Sequence, residues 1–86
     1  MHFRAEIDVM PHKELLDPQG KAVASGLQKL DFTSVEDVRV GRHITILMKA
    51  KSKDEATQHI EEACKKLLAN AIMEGYRYEI HEEKQS

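Results

Sequence analysis

Few residues here have types and spacing suited to chemistry, and each also has an ordinary role in folding. Cys64 is the only cysteine. A catalytic thiol needs an activating base and a lowered pKa. Cys64 instead falls on an apolar helical stripe between Ile60 and Leu67, where a thiol serves as a small core residue. The histidines are His2, His12, His43, His59 and His81. None pairs at helical metal spacing and none stands beside Cys64, whereas a zinc site needs three or four convergent ligands. In Asp17-Pro18-Gln19-Gly20, a helix start could hold an anion, but the Asp17 charge would repel it. Asp17 and Pro18 read better as a helix cap and a first helical residue. Gly20 is a poor helix former in the first turn, and a small residue there permits close approach of a partner backbone. Arg39 and Arg42 bracket Val40-Gly41, with Glu36 and Asp37 close by; solvated hairpin charges are the better reading than phosphate or nucleic-acid binding. The residues therefore assign no catalytic, cofactor or metal site. On chemistry alone this is a small interaction or regulatory domain.

The elements that position these residues follow from periodicity. Phe3, Ala5, Ile7 and Val9 alternate with Arg4, Glu6 and Asp8, the pattern of a strand with one buried face. Pro11 ends its ladder. A helix follows from Asp17, with Ala22, Val23, Gly26, Leu27 and Leu30 on one side. Gly20 and Gly26 weaken it, so packing must hold it. Val35 to Ala50 reads as two strands about a tight turn at Gly41-Arg42. Val38 and Val40 alternate in the first strand, and Ile44, Ile46 and Met48 in the second. Leu47 breaks the polar pattern of the outer face.

The helix over Lys53 to Ala69 opens with a Ser52/Glu55 capping box. Its stripe is Ala56, Ile60, Ala63, Cys64, Leu67, Leu68 and Ala71, and Asn70 is placed as a left-handed end residue. Glu61–Lys65 and Glu62–Lys66 stand in the favourable order. A last strand carries Tyr76, Tyr78 and Ile80 on one face. Glu82 to Ser86 reads as a frayed, flexible polar tail.

The order β-α-β-β-α-β predicts an α+β, two-layer sandwich of ferredoxin-like kind. It has a four-stranded antiparallel sheet with two helices on one face. The 86 residues make one domain, residues 1–86, with a thin core and a radius of gyration near 12 Å expected for a compact chain. Two helices on one face leave the other open. That open face carries Arg4, Glu6, Asp8, Arg39, Thr45, Lys49, Arg77 and Glu79, and is either solvated or a polar interface. Open strand edges favour oligomerisation, although a monomer with a wet sheet face is the plain alternative.

Composition removes other classes. Thirteen Lys and Arg against fifteen Asp and Glu give a net charge of −2, without the basic excess of a nucleic-acid binder. The outward strand positions lack the stacking aromatics of an RNA-reading sheet. No apolar run reaches the ~18–20 residues of a membrane span, and the first ten residues are not a signal peptide. With a lone cysteine, this points to a reducing, cytoplasmic setting.

Four segments occur together in order: Leu16-Asp17-Pro18-Gln19-Gly20-Lys21-Ala22-Val23, Val38-Arg39-Val40-Gly41-Arg42, Cys64-Lys65-Lys66-Leu67-Leu68-Ala69-Asn70 and Glu74-Gly75-Tyr76-Arg77-Tyr78-Glu79. Jointly, and over essentially the whole chain, they resemble the PurS family, the small subunit of phosphoribosylformylglycinamidine synthase. Met10-Pro11-His12, Ala71 and Gly75 depart from the family's more usual residues. The resemblance implies a subunit without catalytic residues in purine biosynthesis. The complete enzyme amidates formylglycinamide ribonucleotide with glutamine nitrogen and ATP. It also implies a homodimer or higher oligomer that joins a glutaminase subunit to a large synthetase subunit, with ammonia passing between them. No cofactor is expected on this chain; ATP and Mg are expected on the large subunit. Asp17, Pro18, Gln19, Gly20, Arg39, Gly41, Arg42, Leu68, Asn70 and Tyr76 are the candidate partner or dimer contacts. The rival reading is a ligand-sensing regulatory domain of the same topology.

Overall fold

Strand β1, His2–Pro11, is the centre around which the rest is arranged. The computed structural model describes residues 1–84. Three antiparallel strands lie in the order β2-β1-β3, with β2 over Arg42–Lys49 and β3 over Glu74–Glu83. Helix α1 covers Pro18–Lys29 and helix α2 Lys53–Ala63; α2 runs on into a π-helical turn, Cys64–Leu68. The expected α+β class with an antiparallel sheet is present.

The alternation in β1 does what it predicts. Phe3, Ala5, Ile7 and Val9 are all within 1% of full burial, because β1 is flanked on both edges and covered on one face. Its inward residues pair with Met48, Ile46 and Ile44 on β2 and with Ile80, Tyr78 and Tyr76 on β3. Helix α2 lies over β1 and β3 and adds Ala56, Ile60 and Cys64 to the core. Its start is capped as expected, with Ser52 Oγ accepting from the Glu55 N–H at 3.2 Å. Both Glu–Lys pairs form, at 3.6 and 3.7 Å.

Several expectations are corrected. The sheet has three strands, not four: Val35 to Val40 joins no ladder. Its polar groups are otherwise engaged, the Val40 N–H by Asp17 and the Arg39 side chain by loop carbonyls. Gly41-Arg42 is consequently the entry to β2, not a hairpin turn. Helix α1 does not share the sheet face with α2. No α1 residue joins the core, and only Gly20 of that helix is buried. The helix and its return segment form an arm, which raises the radius of gyration to 16.8 Å and stretches the molecule to 50 × 32 × 15 Å. Leu67 is 83% exposed because the π-helical turn inserts an extra residue and rotates the stripe, bringing Leu68 inward instead. Asn70 is not left-handed; the only non-glycine residue with positive φ among the described residues is Asp31, at 71°, just past α1. Glu82 and Glu83 belong to β3, opposite Phe3 and His2. Of the expected tail, residues 85–86 lie outside the described residues.

Candidate functional site

Most of the candidate residues gather at the end of the molecule where β1 leaves the sheet and β2 enters it. Asp17 is extended, as an N-cap should be. One carboxylate oxygen accepts from the Gly20 N–H at 3.0 Å and the other from the Val40 N–H at 2.9 Å. Those backbone donors, Val40 first, hold its carboxyl below the ordinary aspartate value. Gly20 lies against the Val38 carbonyl so closely that a Cβ would collide with it and with the Asp17 carboxylate. The close approach read from Gly20 is thus made by the chain's own backbone, not a partner's. Gly41 is likewise packed on the Val9 carbonyl and the Met10 sulfur.

The two arginines are clamps. Arg39 donates to the carbonyls of His12, Lys13 and Leu15 and pairs with Asp37. Arg42 donates to the Leu68 carbonyl at 3.0 Å and to Glu74 Oε1 at 2.8 Å. Expected on the open face, Arg39 is instead spent on the loop after β1. Tyr76 stacks on Tyr78, with ring centroids 6.4 Å apart and planes at 14°. It donates to Glu61 at 2.9 Å, so its role is in the packing under α2.

Asn70 organises a turn. The Ile72 N–H donates to its side chain at 3.0 Å, and the Met73 and Glu74 N–H groups donate to its carbonyl. Glu74 closes the loop by accepting from the Asn70 N–H at 2.9 Å. That N–H, then Arg42, keeps the Glu74 carboxyl below its usual value. The His12 N–H donates to the Met73 carbonyl, and its ring lies 3.2 Å from the Ala71 carbonyl. The locked turn displays Ile72, 85% exposed, and Met73. Beside it lies a groove of about 340 Å³ lined by Leu16, Asp17, Pro18, Gln19, Asn70 and Met73, among others. Asp17–Gln19 and Asn70 are therefore brought together; Tyr76 is not part of this groove. Sequence reasoning missed Ile72, Met73 and Glu74. The Asn70/Glu74 spacing was the available signal.

A second polar cluster occupies the open sheet face. His43 lies between Glu6 and Asp8, 2.7 Å from the latter. Thr45 adds a hydroxyl to Glu6, and Arg77 pairs with Asp8. The His43 pKa is raised, by Asp8 first and Glu6 next, and both carboxyls are lowered, chiefly by His43. Glu6, Asp8, His43 and Arg77 line a cavity of about 350 Å³ with Tyr78 and Glu79, and their charges are paired with one another. Cys64 is fully buried and burial raises its thiol pKa, the reverse of activation. Among the described residues, no group of three or more His, Cys, Asp and Glu is placed to hold a metal, and no helix is long and apolar enough to cross a membrane.

Comparison with known proteins bears on what such a surface serves. Residues 4–82 match the family model described as PurS: phosphoribosylformylglycinamidine (FGAM) synthase. A phosphoribosylformylglycinamidine synthase subunit PurS from Synechocystis is 39% identical over 92% of this chain and 77% of its own length. The Bacillus subtilis subunit is 36% identical over 93% and 94%. Its crystal structure superposes with a TM-score of 0.82, covering 93% of this chain and 99% of that one. A chain in the structure of PurLQS from Thermotoga maritima gives 0.86 at 27% identity, covering 94% and 99%. A ligand-sensing regulatory domain is not favoured by these matches. With a family model spanning nearly the whole chain and relatives alike in length and shape, the chain belongs to the PurS family, a subunit of phosphoribosylformylglycinamidine synthase in purine biosynthesis.

Proposed function

We propose that this chain has no catalytic role of its own and acts as a bridge. It would hold a glutaminase subunit and a large synthetase subunit in register as a homodimer or higher oligomer. The observation that carries this reading is the locked turn at 70–74. A rigid loop that exposes an isoleucine and a methionine beside a groove of mixed polar and apolar lining suits protein contact. Groups fixed in advance lose little freedom on binding, so a preorganised turn favours association.

Keeping two larger enzymes together lets ammonia released from glutamine reach the amidation site without loss to water or protonation. ATP and Mg are then the business of the synthetase subunit, and this chain binds neither. The self-paired charges of the open sheet face give no basic surface for nucleic acid. A lone buried thiol suits the cytoplasm. The test is reconstitution with the two partner subunits, following glutamine-dependent amidation of formylglycinamide ribonucleotide. Activity is expected to require this chain and to fall at least tenfold with Ile72→Asp. A reaction indifferent to adding the chain overturns the reading.

A further inference from the structure

Leu67, Ile72 and Met73 stand in the open on one segment, and two different turns put them there. Leu67 faces outward because α2 ends in a π-helical turn, closed by the Ala69 N–H on the Cys64 carbonyl. Ile72 and Met73 face outward on the turn that Asn70 organises. One side chain joins the two turns. Arg42, at the entry to β2, stands 26 residues before Leu68 and 32 before Glu74. A single guanidinium nitrogen, Nη2, donates to the Leu68 carbonyl at 3.0 Å and to Glu74 Oε1 at 2.8 Å. The same Glu74 oxygen accepts from the Asn70 N–H at 2.9 Å. The bonds therefore run from the last residue of the π-helical turn, through Arg42 and Glu74, to the first residue of the displayed turn.

The carbonyls at a helix end have no partner within the helix, and here a distant strand supplies one to Leu68. The Arg42 side chain is 55% exposed, and an ion pair so placed adds little to stability. What its bonds fix is geometry. We propose that Arg42 is the positioning residue of the docking surface: it holds the π-helical turn and the Asn70 turn in one arrangement, and so sets the affinity of this chain for a partner subunit through the side chains it keeps displayed. This rests on the bridge reading above and names what preorganises its contact surface. Freedom removed beforehand is not lost on binding, so releasing the clamp weakens docking and leaves the core intact. His12 holds the same turn from the end of β1, through the Met73 and Ala71 carbonyls. Loss of Arg42 therefore loosens the turn at its base without freeing it altogether.

The test titrates the full chain into the two partner subunits and follows glutamine-dependent amidation, reading the half-saturating concentration apart from the rate at saturation. Arg42→Met keeps the stem and removes the donors. It is expected to raise the half-saturating concentration at least tenfold, with the rate at saturation close to wild type. Amide exchange at Ile72 and Met73 is expected to quicken at least tenfold, with exchange at Ile7 in β1 unchanged. Arg42→Lys, whose ammonium can donate to a carbonyl and a carboxylate together, is expected to recover most of the loss. The exchanged pair, Arg42→Glu with Glu74→Arg, restores opposite charges but neither the bond to Leu68 nor that to Asn70. It is expected to dock as weakly as Arg42→Met, and wild-type affinity in it overturns the proposal. Quickened exchange at Ile7 in Arg42→Met marks a merely structural role and overturns it too. Unchanged affinity in Arg42→Met, where Ile72→Asp does weaken docking, overturns the proposal and leaves the bridge reading standing. A reaction indifferent to Ile72→Asp, or to the chain itself, overturns both.

Discussion

The sheet with α2 and the arm built on α1 are made from similar residues, yet they stand in opposite states. Around β1, apolar side chains alternate and meet cover from α2, so Phe3, Ile7, Val9, Ile60 and Cys64 are essentially inaccessible. In the arm, Val23, Leu30 and Phe32 repeat the same chemistry in the open. Apolar spacing marks a face for burial without saying which chain supplies the cover. The arm is held at its root by hydrogen bonds and close backbone packing, and the sheet by interdigitated side chains. One region is therefore covered within a single chain, while the other keeps its apolar side chains open.

The widest gap between the regions is in the cost of truncation. Phe3→Ala is expected to destabilise the fold by about 3–5 kcal/mol in urea titration, since Phe3 is 1% exposed. A cost within about 0.5 kcal/mol would mean that the sheet is not the stable half. Next is the arm's root. Gly20→Ala would drive a Cβ into the Val38 carbonyl and is expected to cost roughly 1–3 kcal/mol as overpacking, or to let the arm detach, read as faster amide exchange at Val40. Unchanged stability together with unchanged exchange would show that the root is loose.

The open face adds a pH dependence. Because the folded pKa of His43 is raised, its stabilising contribution is full below the unfolded value near 6.5 and is lost as pH rises through the raised folded value. Glu6 and Asp8 are lowered, so theirs is present above the unfolded values, near 4, and is lost in acid. Stability should therefore be greatest between these limits. His43→Gln should flatten the alkaline side, as measured by thermal unfolding across pH 5 to 9. An unaltered profile would detach the cluster from stability. The smallest effect is expected from Leu30→Ala, within about 0.5 kcal/mol for the isolated fold, because Leu30 is 69% exposed. A larger loss measured on the monomer would erase the distinction between the regions.

Legibility in the sequence varied by element. The period-2 run of β1 and the stripe of α2 could be read directly, because each is covered within the chain and its pattern records that cover. Val35 to Val40 carries the same alternation but forms no strand, its polar groups being taken by Asp17 and by loop carbonyls distant in sequence. Asp17–Gln19 and Asn70 do share a groove, whereas Gly20, Gly41, Arg39 and Arg42 are consumed in holding the chain's own loops. Ile72 and Met73 were missed because an apolar residue in a loop has no period to reveal it.

The sequence alone determined the local elements, the caps at Asp17 and Ser52, the inward face of β1 and the kinship carried by four ordered segments. These depend on neighbours within a turn or two, or on residue identity. Only the tertiary structure decided that α1 stands apart, that Leu67 turns outward on a π-helical turn and that Asn70 and Glu74 lock a displayed loop. Those outcomes depend on hydrogen bonds between groups far apart in the chain, such as Val40 to Asp17 and Arg42 to Leu68 and Glu74. Local periodicity does not encode such bonds.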